Sequence, residues 1–259
     1  MVIDSYIQSL SVAGNTLDLR ALSKTLGMKS AGEAASAKPP AISETLKAAV
    51  DAGSLLSFVD GLSAAEREDV LYSVQLAHRT ATHDFDRFSQ TQSWYQRYIE
   101  VLQLLGWVAE QLAFTNFNQS EGQLRMDKAA LALITAIATQ NQLAVLKVAV
   151  DTLEKMAEDD NAIRLFDFHT STDIGGNFQI GAVQKGESGA LSMALGSFYF
   201  RSHDARRKFL FFSWGKNEVN FWTAAQKMTL NTTLYALGRD AVKRKLEGTF
   251  PSFIAELPI

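Results

Sequence analysis

Residues Asn177–Leu230 hold four apolar runs: FQIGAVQ (178–184), ALSMALGSFYF (190–200), KFLFFSW (208–214) and VNFWTAAQKMTL (219–230). The polar links KGESG, SHDARR and GKNE separate them. Apolar runs broken by short turn-rich links predict an antiparallel β-meander. Most of these runs carry apolar side chains at odd and even positions alike. A strand with one wet face alternates apolar and polar, whereas a strand covered on both faces does not. The sheet is therefore expected to be covered twice, or to line an apolar cavity. An acyl chain would sit in such a cavity.

Working outward, the pattern on both sides of this stretch turns helical. Downstream, Asn231 is placed to cap a last helix with Leu234, Leu237, Ala241, Val242 and Leu246 as its buried stripe. Upstream, Leu17, Leu19, Leu22 and Leu26 sit at near-helical spacing, and a helix is expected from Ser43 to about Val59. Ser63 and Glu66 form a capping box for the next helix. A further helix is expected over Trp94–Leu112, and an antiparallel pair begins at Asp127 and at Asn141. The motif EDDN (158–161) breaks the helical pattern, and residues 29–41 read as a linker or mobile loop.

Helices first and strands afterwards give an α+β fold class, with the antiparallel meander packed against the N-terminal helices and the final helix. The expected organisation is one domain over 1–259, with a helical part at 1–158 and the sheet plus final helix at 159–259. The alternative is a separate N-terminal helical hairpin.

The chain has no cysteine, which excludes disulfides, thiol catalysis, thiolate metal sites and S-acylation. The start, MVIDSYIQSL, is acidic and interrupted by polar residues, unlike a Sec-type signal. No apolar run reaches the ~18 residues of a membrane-spanning helix. Synthesis in the cytoplasm, with any export by a signal-independent route, is the expected localisation. Net charge is −3, but residues 201–248 carry ten Lys and Arg against four acids, a net +6. Arg206, Arg207 and Lys208, just before FLFFSW, are the candidates for contact with an anionic membrane surface. A basic turn before a buried strand accounts for them equally simply.

Catalytic and metal signatures are weak. His78, His83, Asp84 and Asp86 cluster in sequence, but the two histidines miss the i,i+4 spacing of one helix face. His169, Ser171 and Asp173 would share a strand face, yet a relay normally gathers its members from separate segments. GESG lacks the spacing of a nucleophile elbow, Gly215-Lys216 lacks the upstream glycine of a P-loop, and no dinucleotide fingerprint is present. No metal or cofactor is expected, and the acidic net charge argues against nucleic acid.

Residues 160–248 resemble the Erwinia virulence factor (Evf) family. The resemblance rests on Gly176-Asn177-Phe178-Gln179, on Met193 to Phe200, on Phe211 to Trp214, and on Thr229-Leu230-Asn231 leading into Tyr235, Arg239-Asp240 and Lys245-Leu246. It implies a compact α/β protein without known enzymatic activity, used in host interaction. It also implies an apolar tunnel holding a palmitate on a cysteine. This sequence has no cysteine, so the covalent anchor does not carry over. The implied function is a non-enzymatic virulence factor that holds a fatty acid or other lipid and associates with membranes. Phe198, Phe200, Phe211, Phe212 and Trp214 are the candidate lining, chosen from the two-faced runs. The alternatives are a membrane-acting toxin, pore-forming or insecticidal, and a small hydrolase using His169 or His203. The sequence leaves the oligomeric state open.

Overall fold

The computed structural model describes residues 2–12, 42–43, 45–109, 113–117, 123–202, 208–215, 219–246 and 254–259. The expected linker at 29–41, the leucines at 17–26, His203, Arg206 and Arg207 lie outside the described residues. The helices are α1 (Val2–Ser9), α2 (Ala64–Asp84), α3 (Thr91–Leu104), α4 (Met126–Thr135), α5 (Gln140–Lys155), α6 (Asn161–Thr170) and α7 (Thr232–Leu246). The longer strands are β1 (Ala48–Asp51), β2 (Ser54–Phe58), β7 (Gly175–Lys185), β8 (Leu191–Ser202) and β10 (Val219–Leu230). Short pieces complete them: β3 (Trp107–Val108), β4 (Thr115–Asn116), β5 (Leu124–Arg125), β6 (Ser171–Thr172), β9 (Ser213–Trp214) and β11 (Ile254–Glu256).

The main sheet runs β11-β1-β2-β7-β8-β10-β3, with β4 also on β10 and β6 on β7. Strands β7, β8 and β10 form the expected antiparallel meander, in register from Gly175↔Arg201 to Lys185↔Leu191 and from Val219↔Ser202 to Leu230↔Leu191. The third apolar run does not join it. Residues Phe209–Phe211 form a single 3-10 turn, and Ser213–Trp214 pair with β5 in a separate two-residue ladder. The run is apolar because Phe209, Leu210 and Trp214 are buried, and burial alone does not distinguish a strand from a turn.

A second correction falls at Ser43–Val59, which folds as the β1–β2 hairpin rather than a helix. Every residue of both strands is buried, so period-2 alternation is lost and the run mimics a buried helix. The turn places Ala52 at φ 50°, and a side chain at Gly53 would overlap the Arg87 guanidinium at 2.3 Å. Strand β2 then runs parallel to β7, so the sheet is mixed. Helix α3 stops at Leu104 instead of continuing to Leu112; Gly106 at φ 94° turns the chain into β3. Helix α6 was not expected. Asp160 caps it by accepting from the Ala162 N–H at 2.8 Å, and its apolar side packs on the sheet.

Both faces of the sheet are covered. On the first, Val183, Leu191, Met193, Leu195, Met228 and Leu230 join one core with residues of α1, α2, α3 and α7. On the second, Phe178, Ile180, Ala182, Ala194, Phe198, Phe200 and Phe221 join another with α4, α5 and α6. Caps foreseen in the sequence fix the helix starts. Ser63 and Glu66 cap α2 reciprocally, and Asn231 accepts from the Leu234 N–H at 3.0 Å. Arg239 grips Asp69 with two bonds of 2.7 and 2.6 Å, which joins α7 to α2.

Candidate functional site

The register brings the large side chains of the second face into one aromatic layer. Phe178 pairs with Phe198 across β7 and β8, and Phe200 pairs with Phe221 across β8 and β10. Ring centroids of Phe178 and Phe198 are 4.9 Å apart, and those of Phe198 and Phe221 5.8 Å, both pairs stacked. Phe209 drops onto this layer from the 3-10 turn, 4.9 Å from Phe200 and 5.9 Å from Phe166 of α6. Of the five predicted lining residues, Phe198, Phe200 and Trp214 lie in this layer at 0%, 4% and 1% exposure. Phe211 and Phe212 are half-buried at its rim, with the Phe212 ring 5.4 Å from Trp214.

The cover over this layer is helical and held at few polar points. The Gln142 side chain of α5 donates to the Ala182 carbonyl at 2.9 Å and the Ser192 carbonyl at 3.1 Å. Arg125 bonds both oxygens of the fully buried Asp127 and reaches Glu154 at 2.7 Å, which ties the start of α4 to α5. The Lys208 ammonium donates to the main-chain carbonyls of Glu154 and of Met156, the latter at 2.9 Å, while Asp167 accepts from the Lys208 N–H. A cation on exposed helix-end carbonyls is favoured by the helix dipole. Lys208, predicted for a membrane surface, is thus engaged at the end of α5.

The first face carries a different chemistry at its Gly175 end. Asn177, Gln179, Ser54 and Asp51 are fully buried there, facing Gln75, His78 and Arg79 of α2 and Arg87 of the following loop. The Arg87 guanidinium donates to Asn177 Oδ1, to His78 Nε2, to the His169 carbonyl and, at 3.4 Å, to Gln179 Oε1. It also lies 4.6 Å from the Trp94 ring. Burial pulls it down to about 9, and Arg79 to about 10. Burial drives His78 well below its ordinary range, helped by repulsion from Arg87, His169 and Arg79. Burial and Arg87 push His169 down to about 3. Burial raises Asp51 well above the usual carboxylate range; Gln75 and Arg79 pull the other way, although neither carboxyl oxygen makes a well-formed hydrogen bond.

These positions separate the residues that the sequence had grouped. His78 is buried on Arg87, whereas His83 is exposed and bonded to Asp84 at 2.9 Å, and Asp86 accepts from its own loop. His169 ends α6 and does not share a strand face with Ser171 and Asp173. Among the described residues no group of three or more His, Asp or Glu converges as a metal site. Arg87 carried no signal of its own in the sequence. Asn177 and Gln179, two polar residues on one face of an apolar strand, were the available one.

No known family's sequence pattern matches the chain, and no curated protein matches it. Solved structures similar to it include a delta-endotoxin, 11% identical over 70% of this chain and 84% of that one, with a TM-score of 0.41. The Evf virulence factor is 11% identical, covering 99% of this chain and 91% of that one, with a TM-score of 0.38. The activated Cyt2Ba monomer from Bacillus thuringiensis subsp. israelensis is 10% identical over 69% of this chain and 96% of that one, at 0.37. The Evf-like resemblance read in residues 160–248 thus meets the Evf structure among these neighbours. Identities this low pass no residue's role to this chain.

Proposed function

We propose that this chain is a non-enzymatic, membrane-associating protein of the virulence-factor or toxin kind, and that the aromatic face of β7, β8 and β10 is what meets acyl chains. The observation that carries the reading is the length of these strands together with the aromatic layer on one of their faces. They are neighbours of 11, 12 and 12 residues. A strand crossing a bilayer needs ~9–11 residues, tilted. One face presents Phe178, Ile180, Ala182, Ala194, Phe198, Phe200 and Phe221, while the other mixes Asn177, Gln179, Ser197, Arg201 and Gln226 with the apolar Val183, Leu191, Met193, Leu195, Met228 and Leu230. An aromatic face of this length suits lipid, while the mixed face stays covered by α1, α2, α3 and α7.

The helices α4, α5 and α6 occupy the place that lipid would take. Lifting them exposes apolar surface, which is unfavourable in water and neutral once acyl chains cover it. Among the described residues no helix is long and apolar enough to cross a membrane, so the strands are the elements suited to insertion. The half-buried Phe211 and Phe212, next to the basic run Arg206-Arg207-Lys208, are the first contacts in this reading. A free fatty acid bound under the same helices is a milder form of the same chemistry, using the same five aromatic residues. Dye release from anionic and neutral liposomes tests the reading. Release that falls on substitution of Arg206 and Arg207 supports it; intact protein that neither binds nor permeabilises liposomes of either charge contradicts it.

A further inference from the structure

Two adjoining grooves open at the Gly175 end of the sheet, beside the start of α3. Their volumes are about 660 and 530 Å³, and they share Ser89, Thr91, Tyr199 and Arg201. Both fall in the ~300–1,000 Å³ range of ligand sites. We propose that they form a binding site for an acidic sugar at the end of an oligosaccharide.

The floor is aromatic and partly open: Tyr199 and Phe114 line it, and Trp222 backs Tyr199 without lining either groove. Tyr199 stacks on Trp222 across the β8–β10 pair at 4.5 Å and 7°, and Phe114 meets Tyr199 edge-on at 5.0 Å. All three are half-buried, unlike the closed aromatic layer on the opposite face. A sugar ring offers apolar C–H faces to such a platform, and its hydroxyls need donors and acceptors around it. The wall supplies these from SQTQS (89–93), an uncharged run of hydroxyls and amides at the end of the α2–α3 loop and in the first turn of α3. Asn220, paired with Arg201 across β8 and β10, adds an amide to the second groove.

The wall is held in place before any ligand arrives. Asp86 accepts from the Phe88 and Ser89 N–H groups and from the Ser89 hydroxyl at 2.6 Å. Those bonds hold its carboxyl below the usual range. Thr91 donates to the Arg87 carbonyl at 3.1 Å, and Arg87 itself is clamped in the interior. A site whose wall does not need to order on binding loses less affinity to entropy.

Charge selects the sugar. Arg201 is the one charged side chain among the described residues lining the two grooves. It is exposed, lies 6.0 Å over the Trp222 ring, and has no ion-pair partner among the described residues. A single planar guanidinium beside a stacking platform suits one carboxylate held by two parallel bonds. A sialic or uronic acid combines that carboxylate with a ring and hydroxyls.

Saturation-transfer NMR and calorimetry on the full chain test this, with sialyllactose, lactose and inorganic phosphate as probes. Sialyllactose is expected to bind at least ~tenfold more tightly than lactose, the factor equivalent to one charge-assisted contact. Arg201→Gln, at an exposed position that leaves the core intact, is expected to remove that preference. Tyr199→Phe is expected to preserve binding, and Tyr199→Ala to weaken both sugars. Three results would each overturn the proposal: no binding of sialyllactose at millimolar concentration, a preference that survives Arg201→Gln, or phosphate displacing sialyllactose with equal affinity.

Discussion

Arg87 Nη1 donates to His78 Nε2 inside the core, so a buried guanidinium is bonded to a neutral imidazole, with no carboxylate on either among the described residues. The remaining Arg87 donors go to the Asn177 amide, the Gln179 amide and the His169 carbonyl. One side chain therefore joins the α2–α3 loop to β7, to α2 and to the end of α6. Removing it strands several buried acceptors at once. Arg87→Met is expected to cost about 3–5 kcal/mol, read from urea denaturation midpoints. Arg87→Lys is expected to recover little of this, because an ammonium cannot reproduce the planar fork. A loss below about 1 kcal/mol in Arg87→Met would show that the cluster contributes little.

The same cluster makes stability depend on pH. His78 and His169 are held neutral, with folded pKa values below the unfolded value of ~6.5. Their contribution is complete above about pH 6.5 and is lost as pH falls, at up to about 1.4 kcal/mol per pH unit for each. For His169 the window extends down to about 3. Asp51 acts in the opposite sense: its raised folded pKa gives stability at low pH that is lost as pH rises above ~3.9. Arg79 faces all three groups and Arg87 the two histidines, and both arginines stay charged across this range. Unfolding midpoints are expected to rise with pH between about 5 and 6.5, and Asp51→Asn to steepen the rise. A flat profile in both proteins would contradict the neutral-histidine assignment.

Gly176 sits where β7 passes the end of α6. A Cβ there would lie 2.0 Å from the Thr170 carbonyl oxygen, a main-chain atom with little freedom to retreat. Gly176→Ala is expected to lower the thermal midpoint strongly or to abolish soluble expression, whereas Gly186→Ala, whose nearest neighbour is 3.5 Å away, is expected to be tolerated. Equal tolerance at both positions would contradict the observed crossing.

The aromatic layer separates stability from membrane contact. Phe198 is fully buried among stacked rings, so Phe198→Ala is expected to cost about 3–5 kcal/mol. Phe211 is half-buried at the rim. Phe211→Ala is expected to change stability by under about 1.5 kcal/mol while reducing liposome association several-fold in a flotation assay. Liposome association unchanged in Phe211→Ala would remove the rim from the first contact.

Much of this arrangement was legible from local rules. The Ser63–Glu66 capping box, the Asn231 cap and the unalternating β7, β8 and β10 runs signalled two helix starts and a sheet covered on both faces. Phe198 and Phe200 followed from that pattern. What misled was burial without periodicity: Ser43–Val59 and Phe209–Trp214 are apolar for tertiary reasons, and their secondary structure depends on neighbours distant in sequence. Arg87 was invisible for a related cause. In HDFDRFSQ it resembles a solvated turn residue, and its partner Asn177 lies 90 positions away.

The most direct test of a lipid-facing sheet uses the absence of native cysteine. Single cysteines along β8, each carrying an environment-sensitive dye, report which positions meet lipid. On addition of liposomes the account predicts an apolar shift at Ala194, Phe198 and Phe200, and none at the alternate positions Ser197, Tyr199 and Arg201. A shift at neither set, or one without the two-residue period, would contradict it.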